Sequence, residues 1–183
     1  TLAVLNMSEV VLIDLATAAV RERVQTEDLS WAGIAFLPER GSPSEPAAAP
    51  AGGSILVAST AKSELVFIAL EPGGARLAGE LTIPCSTKGE SVPCGMAVSA
   101  DGSRLYVAVN RNDSLAEIDL PRRALLREIS VGKAPYGVAL SGDEAYVSNW
   151  GGRVPAQGEI TGPAGDEDGL AVVDPRTGVA ASG

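Results

Sequence analysis

One block of about forty residues occurs in this 183-residue chain and then begins again. Gly95-Met-Ala-Val opens one copy and Gly137-Val-Ala-Leu opens the next, 42 residues on. Tyr106-Val107 returns as Tyr146-Val147, 40 residues on. Within the first copy the apolar runs are short, and each is closed by turn residues: Asp101-Gly102, Asn112-Asp113 and Pro121-Arg122-Arg123. A period of this length forces the chain to be read as stacked units, because no single unit can bury its apolar faces alone.

Four short strands in about 40–45 residues are the pattern of a β-propeller blade, so the fold class is all-β, a propeller of four-stranded antiparallel blades. In the clearest copy the runs are 95–99, 104–109, 114–119 and 124–131, here termed strands a, b, c and d. Trp31-Ala-Gly33-Ile-Ala-Phe-Leu37 opens an earlier copy, and residues 55–70 align without gaps on 105–120. Residues 2–6, 9–15 and 20–25 form the first runs of the chain. The expected blade portions of one propeller domain, 1–183, are therefore about 1–25, 31–83, 95–131 and 137–183, with insertions at 38–54 and 151–169. Two blades, those starting near Gly33 and Gly95, are complete in sequence. Strand c of the last blade falls either at 170–174 or beyond Gly183, because Pro175 and the surrounding glycines weaken the first choice. Three to four blades, some partial, would leave open edges, so the remainder of the propeller or a partner chain is expected to cover them.

Composition narrows the chemistry. Asp and Glu number 23 against 14 Lys and Arg, a net charge of −9, which argues against duplex nucleic acid as a partner. No apolar run approaches the roughly 18 residues of a spanning helix, so no membrane insertion is expected. The chain has no histidine, so Ser-His-Asp and Cys-His catalysis and His-ligated zinc or haem cannot be built from it. No catalytic residue, metal ligand or cofactor is assigned. Asp166-Glu167-Asp168 lacks the alternating spacing of a calcium loop and reads as a solvated acidic loop. Cys85 and Cys94 read as a local disulfide of an exported, periplasmic or extracellular protein, with two free thiols as the alternative.

Tyr146-Val147-Ser148-Asn149 resembles the repeat that names the YVTN (YncE-type) family of bacterial and archaeal propellers, and Leu105 to Asn110 is a looser copy of it. The stretch Tyr146-Val-Ser-Asn-Trp-Gly-Gly-Arg153, with Val172-Val-Asp-Pro-Arg-Thr-Gly-Val-Ala-Ala-Ser-Gly183 after it, is similar to propellers fused to an alkaline-phosphatase-like domain. The resemblance implies a seven-bladed ring of which this chain is the middle portion, and a metal-dependent phosphoesterase site outside it. A surface-layer or adhesion repeat protein is a further reading.

Propeller topology sorts the loops. The a–b and c–d turns lie on one end of the blades, and the b–c turns and d–a connections on the other. That second end gathers Arg111, Asn112, Lys133, Tyr136, Asn149, Trp150 and Arg153. It is the expected ligand- or partner-binding face of a non-catalytic scaffold, for a protein or small molecule. Trp150 is the first choice for an exposed contact, with packing over the loop base as its alternative. Tyr106 and Tyr146 are expected to pack between blades, and Asn110 and Asn149 to satisfy backbone groups at strand ends. Asp14 and Asp119 are expected to accept backbone N–H bonds at the c–d turns. Arg122-Arg123 reads as a solvated turn.

Overall fold

The computed structural model describes residues 1–37, 54–71, 73–151, 170–174 and 176–182. These form fifteen strands in four antiparallel sheets. Blade 1 has three strands, β1 (Leu2–Asn6), β2 (Glu9–Ile13) and β3 (Val20–Gln25). Blade 2 holds β4 (Leu29–Leu37), β5 (Ser54–Thr60), β6 (Glu64–Glu71) and β7 (Gly74–Thr82). Blade 3 holds β8 (Pro93–Val98), β9 (Arg104–Val109), β10 (Ser114–Asp119) and β11 (Ala124–Ser130). Blade 4 holds β12 (Lys133–Ser141), β13 (Glu144–Gly151), β14 (Leu170–Asp174) and β15 (Val179–Ser182). Sheet order follows chain order in every blade. Leu170–Asp174 is thus strand c of blade 4, and its pairing with β13 resolves the choice that Pro175 left open. Three sheets, rather than two, have all four strands.

The inner strands β4, β8 and β12 lie side by side, and glycine sets how close they come. A Cβ built on Gly33 falls 1.9 Å from the Cys94 carbonyl oxygen. One on Gly95 falls 2.5 Å from the Tyr136 carbonyl oxygen and 2.9 Å from Gly137 Cα. The repeating glycine therefore marks backbone-to-backbone contact between neighbouring blades.

Between blades the contact is face to face. Val10, Leu12 and Val24 of blade 1 pack on Leu56, Ala58, Val66 and Ile68 of blade 2. The other face of blade 2, with Ile55, Val57, Leu65 and Phe67, packs on Leu105, Val107, Ala116 and Ile118 of blade 3. Tyr106, Ala108, Leu115 and Ile129 then meet Ala145, Val147, Ala171 and Val173 of blade 4. Tyr106 takes the inter-blade position expected of it. Tyr146 lies on the equivalent face of blade 4, turned away from blade 3, and donates its hydroxyl to Glu144 at 2.6 Å.

The face assignments also correct the gapless alignment of blades 2 and 3. Leu56 pairs with Ile68, and Leu105 with Ile118. Strand c keeps the 50-residue offset while strand b is shifted by one. The b–c turn of blade 3 carries one more residue, taken up by the 3-10 turn Asn110–Asn112 and the left-handed Asp113 (φ 54°). Without that extra residue every side chain of β9 would face the wrong blade.

The c–d turns repeat a carboxylate. Asp14 Oδ1 accepts the Ala16 and Thr17 N–H groups at 3.0 and 2.9 Å, and Asp119 Oδ1 accepts Arg122 N–H at 2.9 Å. Asp174 Oδ1 accepts Arg176 N–H at 2.8 Å and is a third member. Four residues on, Ala18, Arg123 and Gly178 are all left-handed, at φ 55°, 50° and 71°. Arg123 is not simply solvated. It donates to the Ala78 carbonyl of blade 2 and lies 4.6 Å over the Phe67 ring, a cation–π contact. Arg122 is the exposed member and pairs with Asp119 at 2.8 Å.

Replacing Gly95 by Val sets a branched side chain against the blade 4 backbone. The expected loss is at least about 2 kcal/mol, towards the upper end for overpacking, read as a lowered urea midpoint. Acid acts on the turns. The Thr17 backbone N–H chiefly lowers the Asp14 carboxyl, the Arg122 N–H lowers Asp119, and the Arg176 side chain lowers Asp174. The Ser99 hydroxyl first, then Ser103, hold Asp101 at about 2. A carboxyl depressed in the folded state stabilises above its unfolded value of roughly 4, and that stabilisation is lost as pH falls through the folded value. The melting temperature should therefore drop between about pH 4 and pH 2, and Asp101→Asn should flatten part of that slope.

Candidate functional site

The b–c turns and d–a connections are stitched into one surface by a repeated set of backbone bonds. Thr26, Ile83 and Val131, each just past an outer strand, donate to the Ser8, Ser63 and Asp113 carbonyls at 3.1, 2.7 and 3.0 Å. Leu29 N–H donates to Met7 O at 3.1 Å, and Val92 N–H to Lys62 O at 2.8 Å. In the last copy Ala134 N–H is taken by the Asp113 side chain at 3.0 Å. Asp28, Val92 and Ala134 turn the chain into the inner strands with φ of 55°, 52° and 48°.

At blades 3 and 4 this surface carries most of the expected site residues. Trp150 lies on the face of β13 shared by Tyr146 and Ser148, while Ala145, Val147 and Asn149 turn towards blade 3. It remains 66% exposed. Its indole stacks on the Tyr136 ring with centroids 4.1 Å apart and planes 8° from parallel. One ring face of Trp150 thus packs while the side chain still meets solvent. Tyr136 comes from the β12 bulge between Pro135 and Gly137. Asn110 donates to the Pro135 carbonyl at 3.2 Å and ties the blade 3 turn to the same bulge.

Lys133 Nζ meets Asp113 Oδ2 at 2.6 Å. Burial alone would raise the Asp113 carboxyl, but the Lys133 ammonium and the Ala134 N–H together hold it below the ordinary range. Asp113 is thus a fixed anion that locks the turn to the start of β12. Arg111 is exposed on the 3-10 turn, and its guanidinium has no hydrogen bond or ion pair among the described residues. Asn112 is otherwise engaged. Its amide donates to the Pro84 carbonyl and to Glu128, each at 2.9 Å, and its oxygen accepts Ser86 N–H at 2.9 Å. It holds the 83–92 connection against the turn rather than offering a contact. Asn149 is buried inside β13 rather than at a strand end, with its side chain over Gly132. Arg153, the Asp166–Asp168 cluster and nearly all of both insertions lie outside the described residues.

The structure thus gathers Lys133, Tyr136, Trp150 and the Arg111 turn on one end, with Asn112 engaged by its neighbours and Asn149 buried. The ring stack was not visible in sequence, because strand pairing, not proximity along the chain, joins positions 136 and 150. The same end holds a groove of about 490 Å³ at the blade 1–2 junction, where Lys62 pairs with Asp28 beside Glu27, Glu64 and Glu80. Among the described residues, no group of three or more His, Cys, Asp or Glu is placed to hold a metal ion.

Comparison with known proteins establishes the fold. No family model and no curated protein matches the chain. Among solved structures it is similar to hydrazine synthase of Kuenenia stuttgartiensis, with 18% identity, 79% of this chain, 49% of that one and a TM-score of 0.56. It is similar to a functionally unknown protein from Desulfotomaculum acetoxidans DSM 771, with 13% identity, 94% and 47% coverage and a TM-score of 0.62. It also resembles the dihydro-heme d1 dehydrogenase NirN, with 13% identity, 96% and 32% coverage and a TM-score of 0.62. These likenesses support a β-propeller, and the chain spans about half the length of the first two structures or less.

The expected disulfide is absent, as Cys85 and Cys94 are both free. Their spacing said nothing about direction. Cys94 points into the blade 3–4 core from the inner strand, near Ala32 and Tyr136, whereas Cys85 sits on the d–a connection with Sγ 3.6 Å from the Thr87 hydroxyl. Burial pushes the Cys94 thiol up to about 11, which leaves it protonated and inert at neutral pH. Unfolded, non-reduced protein should label at both thiols. Native protein at pH 8 should label at Cys85 alone on the minutes scale, as mass spectrometry of the alkylated chain will show.

Proposed function

We propose that this chain is a non-catalytic binding module, a propeller segment that takes a protein or small-molecule ligand on its b–c/d–a end. One observation supports the reading above others. Trp150 is held rigid by its stack on Tyr136, yet most of its surface remains in water. A large exposed aromatic anchored in one orientation loses little conformational freedom when it is covered, which is what a binding hot spot requires. The turn carrying Arg111 is tied to the Tyr136 bulge through Asn110, so a cation without a partner among the described residues stands on the same end. The YVTN-family assignment and a periplasmic or extracellular location are part of this proposal. They draw on the resemblance of the Tyr146-Val-Ser-Asn run to that family's repeat, and the free cysteines lend the location no support.

The test compares what immobilised wild-type, Trp150→Ala and Arg111→Ala chains retain from an extract of the source cells. Ser141→Ala, on the opposite end, serves as control. A component kept by wild type and control, and lost at least tenfold with both site variants, is the expected result. Equal retention by all four chains would remove the reading.

A further inference from the structure

The connection between blades 2 and 3 is longer than joining them requires. Residues 26–28 carry the chain from blade 1 to blade 2, and 131–132 from blade 3 to blade 4, whereas 83–92 are used here. Both feet of this excursion are pinned. The Asn112 side chain donates to the Pro84 carbonyl and accepts Ser86 N–H, each at 2.9 Å. The Ser91 hydroxyl donates to the Ile83 carbonyl at 2.6 Å, and the Ser91 carbonyl accepts Arg111 N–H at 3.0 Å. Between the feet Thr87, Lys88 and Gly89 are exposed. Gly89 turns the tip at φ 111°, and a Cβ built on it meets nothing within 4 Å. The excursion is a finger held at its base, with its tip in solvent.

The charges around this finger are unevenly engaged. Glu90 accepts the Ser63 hydroxyl at 2.6 Å. Glu128 accepts from Asn112 and Ser114, and Asp113 from Lys133 and Ala134. These carboxylates are therefore held by donors of the chain itself. Lys88 on the tip and Arg111 on the adjoining turn are exposed, and neither has a hydrogen bond or ion pair among the described residues. Lys88 lies two residues from Ser86, at most about 7 Å of chain, and Ser86 is bonded to the residue after Arg111. Two side chains of this length can reach the same extended segment.

We infer that the finger and the Arg111 turn form a docking site for an acidic peptide segment of a partner protein, with Lys88 and Arg111 each taking a carboxylate. The inference rests on the reading of this end as the binding end and names the chemistry of what binds there. Arg111 offers a planar fork that fits one carboxylate, and Lys88 a compact charge that tolerates more than one approach. The chain as a whole carries a net charge of −9 and repels an acidic partner elsewhere. Charge complementarity confined to one spot fixes where and in which orientation such a partner lands. The pinned base limits the freedom lost on docking, since the finger is already placed.

The probe is a fluorescein-labelled peptide of alternating glutamate and serine, titrated into the full chain by anisotropy beside a peptide with glutamine at each glutamate. Saturable binding of the glutamate peptide alone is expected, weakening as salt rises from about 0.05 M to about 0.3 M. Lys88→Ala and Arg111→Ala should each weaken it about two- to fivefold, the range of an exposed ion pair, and the double variant by more than either. Arg21→Ala, on the opposite end of blade 1, should leave it unchanged, and hydrogen exchange should slow across residues 86–91. No binding, equal binding of the glutamine peptide, or an equal loss with Arg21→Ala overturns the proposal. Loss with Trp150→Ala but not with Lys88→Ala also overturns it and leaves the aromatic reading standing. Loss with Lys88→Ala and Arg111→Ala but not with Trp150→Ala upholds it and removes the aromatic pair from the site.

Discussion

The contact on which this molecule depends is a glycine Cα against a peptide carbonyl. Gly33 meets Cys94, and Gly95 meets Tyr136, at distances no side chain could share. Two inner strands that touch through their backbones fix both the spacing of their blades and the angle between them. The apolar faces farther out then fill the wedge that this angle opens. Chain direction is restored at each junction by a left-handed residue, and at Asp28, Val92 and Ala134 that residue is not glycine. Such a backbone costs roughly 1–3 kcal/mol unless its surroundings enforce it. Here the bonds between the d–a connections and the b–c turns do so.

The blade interfaces share a geometry and differ in chemistry. At the position where blade 2 presents Phe67 to blade 3, blade 3 presents Glu117 to blade 4. Phe67 is fully buried and capped by Arg123, which reaches across from blade 3. Glu117 is held by Arg104 at 3.3 Å and Arg127 at 2.7 Å, and Asp119 by Arg104 and Arg122. Among the described residues the partners of both carboxylates belong to blade 3. Buried charges need partners, and these find them within their own sheet rather than across the seam.

Much of this was legible in the sequence, and the reasons can be assigned residue by residue. Gly33, Gly95 and Gly137 repeat because the inner strands must touch, so the period carried the fold. The carboxylates of the c–d turns were legible at Asp14 and Asp119 because they follow an apolar run. Asp174 was obscured by the proline after it. The one-residue slip in strand b was invisible, since Ile55 and Leu56 are equally apolar and either can be laid on Leu105. The cysteines misled because spacing along a connection does not show that one thiol faces a core and the other solvent. At the candidate site the composition of the loops was readable, but what each side chain holds was not. Asn112 is spent on Pro84, Ser86 and Glu128, and Trp150 leans on a ring fourteen residues earlier.

The ion pairs around Glu117 and Asp119 have a mechanical consequence. A stack in which each unit touches only its neighbours comes apart at its weakest seam. Parting blade 2 from blade 3 strips Phe67 of its cover and breaks the Arg123 clamp. Parting blade 4 from blade 3 breaks none of the pairs around Glu117 and Asp119, and instead returns those charges to water. The two seams therefore resist separation by different means. The 3–4 seam keeps an ion pair of its own, Lys133 with Asp113 at 2.6 Å, and the ring stack of Tyr136 and Trp150 lies wholly on the blade 4 side of it. Opening that seam would carry the two rings away as a pair, because both strands that bear them belong to one sheet.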